Sequence, residues 1–109
     1  MLIAVNDCGR VSLPRGNVLG HTDENRLRVH RIIHPKFENA YYNLILESGG
    51  VQKVLQIVDG TVTVERSAIA AAGEVNAQFR AVVMDGVEVC VFRSDIFKLK
   101  VLPSLQADK

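Results

Sequence analysis

The feature that most constrains this chain is the run from Gln78 to Val101, which reads with a period of two on both sides of Asp85-Gly86. Phe79, Ala81 and Val83 interleave with Arg80, Val82 and Met84, and beyond the Asp-Gly pair Val87, Val89 and Val91 interleave with Glu88, Cys90 and Phe92. A period of two belongs to a pleated strand, and Asp-Gly takes the left-handed backbone of a type I′ turn at least cost, so the run predicts a β-hairpin. After Arg93-Ser94-Asp95 the alternation resumes, with Phe97, Leu99 and Val101 on one face and Lys98 and Lys100 on the other. A third strand there turns the hairpin into a meander. A sheet with one apolar face must be covered, so the earlier residues have to supply a second layer.

They carry the pattern to do so. Leu2 to Val5 reads as an opening strand, Asn6 to Gly9 as a turn, and Val11 to Leu13 as a second extended piece. Pro14 to Asn25 reads as a loop crossing between sheets. Residues 26–33 form a strand whose Leu27, Val29 and Ile33 face inward, ended by Pro35, which has no amide to donate. Tyr41 to Glu47 and Val51 to Val58 make a hairpin across Ser48-Gly49-Gly50, and Asp59-Gly60 turns the chain into Thr61 to Glu65. Ser67 to Gly73 alone has helical leanings, as a single capped turn that crosses between sheets. About eight strands at intervals of roughly ten residues, with no βαβ rhythm, predict an all-β antiparallel β-sandwich.

The chain's 109 residues make one domain, 1–109, with 103–109 as an exit tail. A net charge of +1, spread along the sequence, gives no global case for nucleic acid or an anionic membrane as partner. No apolar run reaches the roughly 18 residues of a membrane helix. The first residues lack a basic n-region, and the expectation is a cytosolic, mature N-terminus. Cys8 and Cys90 then read as small core hydrophobes, Cys90 being flanked by valines, with a disulfide between them as the alternative.

Little in the sequence carries catalytic chemistry. On a strand, His30 and His34 share a face but lie about 13 Å apart, too far to chelate one ion. His21 beside Asp23-Glu24 sits in loop composition, GNVLG at 16–20 lacks the Lys and Ser/Thr of a phosphate loop, and Ser48 and Ser94 have no base beside them. The expectation is a protein that is not an enzyme and holds no cofactor or metal. Binding has more support. Arg26, Arg28 and His30 fall on one face of a strand, with Arg15 and Arg31 near in sequence. That strip suits an acidic protein surface, or it is simply a solvated outer face. Single-stranded nucleic acid would require interleaved aromatics, which the strip lacks. Tyr41 and Tyr42 point to opposite faces, one to the core and one outward.

Taken together, these elements resemble the N-terminal domain of tail baseplate or fibre proteins of phages and prophages of Gram-positive bacteria. The similarity runs through Gly20, Glu24-Asn25 and Leu27-Arg28-Val29, then Tyr41-Tyr42-Asn43-Leu44, then Gln78 and Asp85-Gly86. It closes on a Ser-x-x-Phe-x-Leu-x-Val ending followed by Ser, here Ser94, Phe97, Leu99, Val101 and Ser104, and that closing pattern is its most specific part. Two departures stand out: Phe92 lies where members commonly carry Trp, and members usually continue into a coiled coil or fibre.

The resemblance implies an immunoglobulin-like sandwich that docks to the phage tail or baseplate and carries a receptor-binding part beyond its C-terminus. It implies other tail or baseplate proteins as partners, a homo-oligomer of three- or six-fold symmetry, and a place in the virion tail after assembly in the bacterial cytoplasm. The contact residues expected under it are Arg15, His21, Glu24, Asn25, Arg26, Arg28, His30 and Tyr41. A different class, a host immunoglobulin-like module for carbohydrate, would present exposed aromatics from among Phe37, Tyr41, Tyr42 and Phe92. A small enzyme or metal protein would bring His21, His30 or His34 together with carboxylates.

Overall fold

The alternation of residues 78–101 does become three strands, but they do not form a meander. In the computed structural model, which describes residues 1–22, 28–65 and 72–104, β8 (Gly73–Asp85) pairs antiparallel with both β9 (Val87–Arg93) and β10 (Phe97–Leu102) along the same edge. β9 takes the C-terminal half of β8, from Asp85 back to Arg80, and β10 takes the N-terminal half, from Ala77 back to Gly73. The two strands lie end to end, and Ser94 fills the gap between them. Its amide donates to the Phe79 carbonyl at 3.0 Å, and its Oγ accepts from the Phe79 amide at 2.9 Å. The Gln78 side-chain amide adds a bond to the Ser94 carbonyl at 2.8 Å. A hydroxyl thus replaces the strand partner that β8 lacks where its neighbour changes. At the hairpin tip Asp85 is still paired opposite Val87, so Gly86 alone forms the apex rather than an Asp-Gly pair.

The other strands are β1 (Leu2–Val5), β2 (Val11–Ser12), β3 (Val18–His21), β4 (Arg28–Ile33), β5 (Ala40–Ser48), β6 (Val51–Val58) and β7 (Thr61–Val64). The expected β5–β6 hairpin forms with full register from Tyr42↔Ile57 to Ser48↔Val51. Asp59 and Gly60, with φ of 52° and 71°, make the two-residue type I′ turn between β6 and β7. Gly60 also meets β4. Its carbonyl accepts from the Ile32 amide at 2.8 Å, and a Cβ there would sit 3.3 Å from the Ile32 carbonyl.

All ten strands among the described residues belong to one sheet, ordered β2-β1-β4-β7-β6-β5-β8-β10-β3, with β9 beside β8. The domain is all-β, and no helix occurs among the described residues. Two expectations are corrected here. There are ten strands rather than about eight, and the sheet is mixed, because β1 pairs parallel with β4 and β3 parallel with β10. The stretch expected as a loop at 14–25 contains β3, drawn into the sheet by the fully buried Leu19. Parallel pairs need long crossovers and leave no tight turn in the sequence to announce them.

The sheet curls until its two ends face each other. His30 of β4 donates from Nε2 to the Leu19 carbonyl of β3 at 2.7 Å, joining strands that stand far apart in the sheet order. One core fills the space inside, including Ile3, Leu19, Ile32, Leu44, Val62, Phe79, Leu99 and Val101. Phe97, Leu99 and Val101 face this core and Lys98 and Lys100 face solvent, as the alternation predicts. The β1–β2 turn docks at the Ser94 junction: the Asp95 amide donates to the Gly9 carbonyl at 2.7 Å, and a Cβ on Gly9 would meet the Arg93 carbonyl at 3.1 Å.

β4 is turned over relative to expectation. Val29 and Ile33 are 61% and 58% exposed, while His30 and Ile32 are buried. Register sets this: His30 stands opposite the buried Val62 of β7, so even-numbered residues of β4 share the inner face. Both cysteines are exposed and free, which corrects the reading of them as core residues and of a disulfide. The chain stays packed as far as Ser104, whose amide donates to Thr22 Oγ1 at 3.1 Å and whose hydroxyl donates to the Thr22 carbonyl at 2.6 Å. The helical turn expected at Ser67 to Gly73 falls largely outside the described residues, as does the remainder of the exit tail.

Removing the Ser94 hydroxyl leaves the buried Phe79 amide unsatisfied, which costs about 1–3 kcal/mol. Ser94→Ala should therefore lower stability by that amount in urea unfolding, and an unchanged midpoint would show that the junction holds without it.

Candidate functional site

The eight residues expected at a contact surface divide into three groups. Glu24, Asn25 and Arg26 lie outside the described residues. Arg15 and Tyr41 are exposed, and His21 and Arg28 are half-buried. Arg28 donates from Nη2 to His21 Nδ1 at 3.1 Å, so β3 and β4 present these two side chains together. His30 is 4% exposed and spends its Nε2 proton on Leu19, so it is a structural link between sheet ends and takes no part in an outer strip.

The outward basic residue of β4 is instead Arg31, flanked by the buried His30 and Ile32. It gathers with Arg15, from the turn after β2, and Lys36, just beyond Pro35, around an open groove of about 790 Å³. The Asp59-Gly60 turn also lines it, held against β4 by the Ile32–Gly60 hydrogen bond. The floor is apolar and aromatic. His34 lies 4.2 Å from the Tyr42 ring and stacks on Phe79 at 4.8 Å between centroids, and it donates from Nδ1 to the Pro35 carbonyl at 2.7 Å. Tyr42 is fixed in turn, its hydroxyl accepting from the Phe37 amide at 2.8 Å and donating to the Phe37 carbonyl at 3.2 Å. Arg15 and Arg31 are visible in the sequence as basic residues, but the groove is not, because Arg15 and the Asp59-Gly60 turn reach β4 only through the fold.

Tyr41 and Tyr42 do take opposite faces, Tyr41 outward at 56% exposure and Tyr42 against the core. Phe37 and Phe92 also pack on the core, their rings 5.3 Å apart, so they offer no exposed stacking face. Away from the groove, the Glu47 carboxyl is held below its ordinary value, first by the Asn76 side-chain amide and then by the Gly50 amide. That contact is a cross-strand pair between β5 and β8 rather than an acid–base site. Among the described residues no three His, Cys, Asp or Glu side chains gather as a metal site would require. Nor is any described helix long and apolar enough to cross a membrane.

The geometry defines a class: an all-β domain formed by one curled mixed sheet, with a basic groove beside β4. No family model matches the chain, and no curated protein does. Among solved structures the fold is similar to the N-terminal domain of phage TP901-1 ORF48, at a TM-score of 0.62 and 17% identity over 93% of this chain and 96% of that one. The resemblance read from the sequence, to N-terminal domains of phage tail proteins, is met at the level of fold by a phage N-terminal domain.

Because His30 is a core link, His30→Ala should lower stability by about 1–3 kcal/mol in denaturant unfolding, through the Leu19 carbonyl left without its donor. A surface residue would give an unchanged midpoint.

Proposed function

We propose that this chain is a structural, non-enzymatic module of a phage or prophage tail or baseplate, which docks to other tail proteins and carries a receptor-binding part beyond its C-terminal end. The observation that carries this reading is the shared fold with a phage N-terminal domain over nearly the full length of both chains. The closing sequence pattern supports it, since Ser94, Phe97, Leu99, Val101 and Ser104 each have a defined structural task. The curled sheet is read as an immunoglobulin-like sandwich extended by two parallel junctions, with opposed layers over one core. Ser104 anchors the exit of β10 to Thr22, which gives a following domain a fixed point of departure.

In this reading the domain assembles in the bacterial cytoplasm into the virion tail as a three- or six-fold homo-oligomer, following tail symmetry. Docking uses the exposed Arg15 and the half-buried Arg28 with its partner His21, together with Glu24, Asn25, Arg26 and Tyr41. A carbohydrate-binding module has less support, because sugar stacking needs exposed aromatic faces and Tyr41 alone offers one among the described residues.

Mass spectrometry of particles sedimented from an induced culture tests the reading. The protein should appear in fixed ratio to tail proteins. Its presence in the cytosol with absence from intact particles would refute the assignment.

A further inference from the structure

The groove framed by Arg15, Arg31 and Lys36 has a chemistry that general docking does not explain. Three cationic side chains face one carboxylate, Asp59, and among the described residues none of the three is ion-paired. Charged side chains scattered on a sheet face are ordinary, but here they ring an apolar floor formed by His34, Tyr42 and Ile57. The floor is rigid. Tyr42 is held at its hydroxyl by both backbone groups of Phe37, and His34 packs against the Tyr42 and Phe79 rings and is bonded to the Pro35 carbonyl. β4 and the Asp59-Gly60 turn are fixed to each other as well, by the β4–β7 ladder and the Ile32–Gly60 hydrogen bond that continues it. A preformed groove loses little entropy when it is filled.

We infer that this groove binds an acidic peptide segment of a partner protein, with an apolar side chain seated on the His34–Tyr42 floor and flanking carboxylates on Arg15, Arg31 and Lys36. Charge complementarity selects an anion, and the apolar floor selects a peptide over a plain polyanion. A volume of about 790 Å³ accommodates a short segment rather than a folded surface. Arginine forks suit carboxylates, with which they form paired charge-assisted hydrogen bonds. The inference rests on the docking reading above for the identity of the partner, but not for the binding itself.

The test uses the whole chain and three fluorescein-labelled probes: a short peptide alternating Asp and Leu, an all-Asp peptide, and a short oligothymidylate. Fluorescence anisotropy should show saturable binding of the Asp/Leu peptide, weakening as salt rises. It should show about tenfold weaker binding for Arg31→Glu with Lys36→Glu. Circular dichroism should show both variants folded, as the two positions are exposed; Arg31→Gln with Lys36→Gln gives the same comparison without charge reversal. Equal binding of the all-Asp peptide or the oligothymidylate would overturn the peptide assignment in favour of a general anion site. Equal binding by wild type and variants, or no binding, would overturn the groove. Each of those results leaves the protein's presence in sedimented particles unaffected, so failure of the groove is distinguishable from failure of the tail reading.

Discussion

At Phe79 the backbone of β8 passes between two ladders. Toward its C-terminus the neighbour is β9 and toward its N-terminus it is β10, and the pairing of one ends at Arg80 before that of the other begins at Ala77. A buried amide left open there would cost about 1–3 kcal/mol. Ser94 closes the gap with both its backbone and its hydroxyl, and its Oγ–H in turn donates to the Asp95 carbonyl at 2.9 Å. Much of the fold radiates from this point. Phe79 is fully buried at the centre of the aromatic cluster, β10 departs from it to receive β3, and the β1–β2 turn docks on it through Gly9.

Closure of the sheet follows from the placement of β3. Because β3 lies at the far end of the sheet order yet contacts β4 through His30, the curled sheet encloses its core without a separate covering layer. That contact also decides which residues of β4 can meet a partner. With His30 and Ile32 inward, Arg31 is displayed beside Lys36 and Arg15, and Val29 and Ile33 are exposed. Structure and recognition are coupled through strand parity: a slip of one residue in β4 would bury Arg31 and expose His30.

The parts legible in the sequence were those set by local grammar. The β5–β6 hairpin, the Asp59-Gly60 turn and the inward face of β10 follow from alternation and turn chemistry within a few residues. The parts that were not legible depend on partners distant in the chain. β3 is too short to announce itself between Asn17 and Thr22, and its parallel pairing with β10 has no turn signature. β4 carries apolar residues on both faces, so alternation alone favoured Val29 and Ile33, whereas its register with β7 selects His30 and Ile32. The exposure of Cys90 also depends on distant pairing: β9 has β8 as its strand partner, and Val89 and Val91 on either side of Cys90 are exposed with it. For the groove, Arg15 and Arg31 were visible as basic residues, but only the folded chain brings Arg15 and the Asp59 turn beside Arg31 and Lys36.

The proposed adaptor role draws on two features of the domain, the Ser104–Thr22 contact after β10 and the charged groove beside β4. Cryo-electron microscopy of intact tails from an induced culture of the source organism would test that proposal most directly. The account predicts density for the curled ten-stranded domain at a tail or baseplate position, related by three- or six-fold symmetry, with a neighbouring protein against it and the chain leaving from β10 outward. Fully resolved tails in which every density is accounted for without this domain would contradict it.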